Sequence, residues 1–183
     1  MTILHIDSSI SGEQSASRAI SRSIVDQLRT LNPDAQLVSR DLVSHPLPHL
    51  TLDAFADTSV LDEFLASDTI IVGAPMYNFT LPTQLKAWLD RILVAGKTFR
   101  YTENGPEGLA NGKRVIVALA RGGFYDQGSP ASALEHLETY LRGVFNFIGI
   151  EPEFVAADGL AIGPEQREAS IKQALGETVR LAA

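Results

Sequence analysis

The chain has 183 residues, 45% hydrophobic and 20% charged, which suits one globular domain, residues 1–183, with a sizeable core. It has no cysteine, which excludes disulfides, zinc thiolates, iron–sulfur clusters and thiol catalysis, and its net charge of −7, with Lys and Arg scattered, argues against a nucleic-acid partner. The longest apolar runs, such as Thr69 to Met76, are far too short for a membrane helix, and Met1 to His5 lacks a signal-like pattern, so no membrane association and a cytoplasmic location are expected.

Apolar runs alternate with helix-period stretches along the whole chain. Ile3 to Ile6 reads as a first strand, followed by a Ser-rich turn. Ile20, Ile24, Leu28 and Leu31 then mark one face of a helix, which Asn32-Pro33 ends. Gln36 to Leu42 reads as a second strand, His45 to His49 as loop, and Val60, Leu61, Phe64 and Leu65 as a short helix. Thr69 to Ala74 is a continuous apolar strand of the kind buried on both faces of a parallel sheet. Leu85, Trp88, Leu89, Ile92 and Leu93 form a helical stripe with Pro82 in its first turn. Lys97 to Gly112 holds four glycines or prolines and two aromatics and reads as an excursion. Val115 to Ala120 is a fourth strand, Leu134 to Ile148 a helix, Phe154 to Ala157 a fifth strand, and Pro164 opens the last helix. Five strands in strict alternation with helices imply an α/β fold with a doubly wound parallel sheet, helices on both faces, and strand order 2-1-3-4-5 as one common solution.

In such a sheet a ligand sits beyond the carboxyl ends of the strands. The loop after the first strand, Ser8 to Ser17, holds five serines and runs into a helix N-terminus, where free N–H groups and the helix dipole favour an anion. A single Ser would suffice for an ordinary helix cap. The loop after the third strand, Ala74 to Pro82, presents Met76, Tyr77, Asn78 and Phe79 in succession. A tip so apolar is costly to expose unless it covers something, and either a flat heteroaromatic ring or a packed contact would serve. The loop after the fourth strand carries Gly122-Gly123, which lets backbone approach a ligand closely.

These stretches, APMYNF (74–79), TFRYTENGPEGL (98–109), Arg121-Gly122-Gly123, Phe147 to Ile150 and Asp158-Gly159-Leu160, make the chain resemble the FMN-dependent NADH:quinone oxidoreductases and azoreductases of flavodoxin-like fold. They occur in family order along nearly the whole chain. The resemblance implies a tightly bound, non-covalent FMN, with NADH or NADPH as electron donor and quinones or azo compounds as acceptors. Ser9, Ser15, Ala16 and Ser17 would then hold the phosphate, and Met76, Tyr77, Asn78 and Phe79 would line the isoalloxazine. Ala120, Arg121, Gly122 and Gly123 would meet its pyrimidine edge. Asn78, Tyr101 and Phe147 would position the substrate, the last two from segments that in similar enzymes form a cavity at a homodimer interface. No acid or base residue is obligatory in such a scheme, and ping-pong kinetics are expected. Many relatives have Ser or Thr where Ala120 stands, and the stretch from Pro46 to Val60 is shorter than in many of them.

Other motifs carry less. Gly96-Lys97-Thr98 mimics the end of a P-loop, but Arg91 stands where a Gly is needed and the segment follows a helix. Pro46 and Pro48 keep His45 and His49 off a helix, so no metal site is expected. His5 reads as a partnered core residue, His136 as the solvent side of a helix, and Trp88 as core or interface. No G-x-S-x-G elbow supports a Ser hydrolase. A flavodoxin-like one-electron carrier without nicotinamide oxidase activity is the alternative within the fold. The run from Phe99 to Leu109 argues against it, because a carrier needs no such lid.

Overall fold

The computed structural model describes residues 1–182. Strand β1 (Thr2–Asp7) leads through a Ser-rich loop into α1 (Ala16–Leu31), then β2 (Gln36–Asp41), α2 (Ser59–Ala66), β3 (Thr69–Pro75) and α3 (Thr83–Ile92). Next come β4 (Phe99–Thr102), β5 (Gly105–Gly108), β6 (Arg114–Ala120), α4 (Glu138–Phe147), β7 (Glu153–Ala157) and α5 (Pro164–Ala182). Five strands form one parallel sheet in the order β2-β1-β3-β6-β7. With β4 and β5 left out of the numbering, this is the order 2-1-3-4-5 expected from the alternation of elements.

The strands form where the sequence demands burial. All seven residues of β3 are buried, with Ile70, Ile71 and Val72 at 0% exposure, and each such side chain contributes about 1.5–3 kcal/mol through removal from water. The pleat sends alternate residues to opposite sides. Ile3, Ile71, Ile116 and Val155 join Ile20, Ile24 and Leu28 of α1 and Ala174 of α5 in one cluster. Leu4, Ile70, Val72, Val115 and Val117 join a larger one with Phe64, Leu85, Trp88, Leu141 and Phe145. Trp88 is therefore core, edge-on to Phe64 with ring centroids 6.1 Å apart. His5 is partnered, its Nε2 lying 2.9 Å from Ser21 Oγ.

Two expectations are corrected. The excursion over residues 97–112 contains two further strands: β4 and β5 pair antiparallel as a hairpin, Phe99 opposite Gly108 and Thr102 opposite Gly105, which raises the strand count among the described residues to seven. The hairpin docks on the end of α4. A Cβ on Gly108 would lie 2.1 Å from the Gly149 nitrogen, so only glycine permits this approach, and the Ala110 N–H donates to the Ile148 carbonyl at 3.0 Å. The second correction concerns the helix expected from Leu134. It starts at Glu138, after a short 3-10 turn over Ser132–Leu134. The Glu135 carboxylate accepts the N–H groups of Leu137, Glu138 and Thr139 at 2.7–3.0 Å, capping the helix from outside it. His136 is thus exposed but lies ahead of the helix rather than on it.

Candidate functional site at the ends of the sheet strands

The loop after β1 is built from satisfied hydroxyls around unsatisfied N–H groups. Ser8 Oγ donates to the Gly73 carbonyl at 2.7 Å, tying the loop to β3. Ser15 caps α1, its Oγ accepting the Arg18 N–H at 3.2 Å and lying 3.1 Å from the buried Ser17 Oγ. The N–H groups of Ala16 and Ser17 meet no acceptor among the described residues, as first-turn groups of a helix do. They form the positive end of the helix dipole, the local setting for an anion.

Arg18 holds this loop in shape, and the sequence reading missed it. Its Nε and Nη2 donate to the Ser9 carbonyl at 3.3 and 2.9 Å. Its remaining capacity goes to both carboxylate oxygens of Asp41, each at 2.9 Å, and to Asp7 at 3.3 Å. The guanidinium hydrogen-bonded to Asp41 holds that carboxyl well below the usual carboxylate range. Two carboxylates thus consume the Arg18 charge. A basic residue three positions past the helix-capping Ser was the signal available for it.

The loop after β3 closes on itself as a tight two-residue turn. Tyr77 and Thr80 exchange both backbone hydrogen bonds, at 2.9 and 3.2 Å, around Asn78 and Phe79. Both central residues have positive φ, 47° and 74°. That is the hairpin geometry for which Asn-Gly is the preferred pair. Phe in this region is strained by about 1–3 kcal/mol, which persists only where the surroundings impose it. They do: the Phe79 carbonyl accepts the His136 N–H at 3.0 Å, and Thr80 Oγ1 donates to the His136 carbonyl at 3.2 Å. The N–H groups of Asn78 and Phe79 meet no acceptor among the described residues. Tyr77 links this loop to the first one, its hydroxyl lying 3.2 Å from Ser9 Oγ and accepting the Ile10 N–H at 3.1 Å.

The loop after β6 is fixed by its neighbours. The Arg121 N–H extends the sheet by donating to the Ala157 carbonyl at 2.9 Å. Its guanidinium, 7% exposed, pairs with Asp158 at 2.6 Å and Glu138 at 3.2 Å, with Glu135 at 3.8 Å. Burial works against that charge, and the Asp158, Glu138 and Glu135 carboxylates more than offset it. Arg121 therefore has little left for a ligand. The carbonyls of Gly122 and Gly123 accept the N–H groups of Ala161 and Gly159 at 3.0 and 3.1 Å. Their own N–H groups meet no acceptor among the described residues.

A cavity of about 540 Å³ runs between these loops, lined by Ser9, Ser15 and Ala16 at one side and Met76, Tyr77 and Ala120 at the other. Arg167 of α5 lines it too and was not anticipated from sequence; nothing in its neighbourhood of the sequence marks it. A second cavity, of about 640 Å³, shares Met76 and Tyr77 and adds Asn78 and Thr80. Ser17, Phe79, Arg121, Gly122 and Gly123 line neither. Phe79 instead stands edge-on to Tyr125, ring centroids 6.4 Å apart, and Tyr125 lies against Gly123. Tyr101 and Phe147 are also absent from both cavities. They flank Phe99, with centroids 5.5 and 4.6 Å from it, and Tyr101 is 75% exposed.

Residues 1–181 match the family described as having a flavodoxin-like fold. The chain is 53% identical over 201 aligned positions to FMN-dependent NADH:quinone oxidoreductase 2 of Bradyrhizobium diazoefficiens, with 100% of each chain covered. It is 54% identical to the FMN-dependent NADH:quinone oxidoreductase of Rhizobium meliloti, over 95% of this chain and 93% of that one. Among solved structures it resembles an azoreductase from Bacillus anthracis, with a TM-score of 0.91, 27% identity, and coverage of 100% and 98%.

Proposed function

This chain belongs to the FMN-dependent NADH:quinone oxidoreductases of flavodoxin-like fold, and we propose that it carries two electrons from NADH, or from NADPH, to quinones, and that it cleaves aromatic azo bonds reductively. The observation that carries this reading is the cavity that joins the serine loop to Met76 and Tyr77, at the entry to the strained turn. One phosphorylated flat molecule could reach both ends of it, from Ser15 and Ala16 to Met76, Tyr77 and Ala120.

The residues present fit FMN. The free Ala16 and Ser17 N–H groups, with the Ser15 and Ser17 hydroxyls, form a cradle suited to a phosphate. The unengaged Asn78 and Phe79 N–H groups suit the polar edge of a ring, and Met76 and Tyr77 its face. Ala120 supplies a wall without a hydrogen bond, where many relatives have a hydroxyl. When bound, FMN supplies hydride acceptance from a nicotinamide and onward two-electron transfer. The chain's own task is position and charge. Preorganised N–H donors at Gly122 and Gly123, held by the Arg121–Asp158 pair, would meet the pyrimidine edge, and losing one such donor costs about 3 kcal/mol in comparable sites. Asn78 would orient ring and substrate without moving a proton.

The cavity shares Met76 and Tyr77 with the space lined by Asn78, Thr80 and Gln84, and in this reading donor and acceptor would occupy that space in turn. Ping-pong kinetics follow. Tyr101 and Phe147 line neither cavity of a single chain, so their substrate-positioning role is assigned to a homodimer, in which the exposed hairpin of one protomer reaches the site of its partner. The sheet is read as doubly wound, within one domain. Steady-state rates with NADH and a benzoquinone varied together test the scheme: parallel double-reciprocal lines are expected, and intersecting lines would remove the shared, alternating site.

A further inference from the structure

We propose that Arg167, on the first turns of α5, is a phosphate-recognition residue that makes this chain selective for a phosphorylated flavin over its dephosphorylated form. The inference rests on the reading of the 540 Å³ cavity as the FMN site, and adds to it the origin of the positive charge.

A phosphomonoester brings about −1.5 to −2 charges at neutral pH. The serine loop offers hydroxyls and N–H groups but no lysine, and the chain as a whole is acidic, at −7. Arg18, the nearest cation in sequence, is spent on Asp41 and Asp7 and on the Ser9 carbonyl. Arg22 is largely exposed and pairs with Glu13 at 3.6 Å. Among the described charged residues Arg167 alone lines the cavity, together with Ser9, Ser11, Gln14, Ser15 and Ala16. It is half-buried, and among the described residues it pairs with no carboxylate. Its one side-chain bond among the described residues is to the Gln14 carbonyl, from Nη2 at 2.6 Å. That bond aims the guanidinium across the short 3-10 turn Gly12–Gln14, at the residue that precedes the Ser15 cap. The remaining N–H groups of the fork stay available, and a guanidinium suits phosphate geometry.

Two contributions follow from this placement. The charge attracts the phosphate, and the hydrogen bond to Gln14 ties the serine loop to α5. Substitutions separate them. Arg167→Ala removes both, whereas Arg167→Gln keeps N–H donors for the Gln14 carbonyl and drops the charge.

The full-length chain and both variants, freed of flavin, are titrated with FMN and with riboflavin, with thermal unfolding as a check on folding. The expected result is that both variants bind FMN about tenfold more weakly, the order of one charge-assisted hydrogen bond, while riboflavin affinity changes little. The wild-type preference for FMN should also weaken with rising salt more steeply than that of the variants. Variants that keep the wild-type FMN-to-riboflavin ratio would overturn the assignment of Arg167 and leave the cofactor reading intact. Arg167→Gln behaving as wild type while Arg167→Ala loses selectivity would also overturn it, since the tether alone would then suffice. A wild-type chain that takes up neither flavin would remove the cofactor reading itself, and this inference with it.

Discussion

The Tyr77 hydroxyl lies 3.2 Å from Ser9 Oγ and accepts the Ile10 N–H at 3.1 Å, so the loop after β1 and the loop after β3 form one hydrogen-bonded unit. A side chain from the Met76–Tyr77 side of the cavity thereby fixes the backbone of the serine loop on its other side.

Removing only that hydroxyl tests the coupling. Tyr77→Phe keeps the ring and loses a link worth about 1 kcal/mol. FMN affinity should fall about fivefold, with a small change in unfolding midpoint. Fluorescence titration checks this, and an unchanged affinity would mean that the two loops are positioned independently.

The strained turn should show a trade of stability against activity. Phe79 at φ 74° occupies a position that glycine adopts without steric strain. Phe79→Gly should raise stability by about 1 kcal/mol, the low end of the strain relieved, because the edge contact with Tyr125 is lost. Quinone reduction should fall at the same time. Urea unfolding and turnover on the same preparation measure both; a variant that is less stable than the parent would show that the strain relieved is smaller than the contact and chain entropy lost.

The hairpin depends on one missing side chain. An added Cβ at Gly108 would meet the Gly149 backbone at 2.1 Å, a contact that rigid backbone cannot yield to. Gly108→Ala should undock β4 and β5 from the end of α4 and cost about 2–3 kcal/mol. Limited proteolysis within residues 97–112 should accelerate. Equal resistance to the protease would contradict the packing described.

Acid should loosen the serine loop. The Asp41 carboxyl is lowered in the fold by Arg18, so its contribution is fully present above the ordinary aspartate value of about 3.9 and is lost as pH falls toward the depressed folded value. Stability should therefore decline below about pH 4. Asp41→Asn should be less stable at pH 7 by about 1–2 kcal/mol, with a flatter dependence in acid. Denaturation series at several pH values compare the two, and identical slopes would exclude Asp41 as the group responsible.

How far these features could be read in advance depended on whether the cause was local. The five sheet strands were legible because β3 and β6 are runs that only burial on both faces explains. The serine loop and the Met76–Phe79 tip stood out because their composition is costly without a partner. The hairpin was missed because its packing is tertiary: Phe99 finds Phe147, and Gly108 finds Gly149, across more than forty residues. The Asn104-Gly105 pair was the local signal that could have disclosed it. The start of α4 was misjudged because Glu135 caps from outside the apolar period. Arg18 and Arg167 were invisible for a related reason. Which carboxylates surround a guanidinium is decided by the fold, and that alone separates the spent charge of Arg18 from the available one of Arg167.

Anaerobic titration of the purified, FMN-loaded chain with NADH tests the central claim most directly. One equivalent of NADH per protomer should bleach the visible flavin band, and one equivalent of benzoquinone should restore it. A flavin band that NADH leaves untouched would contradict the account.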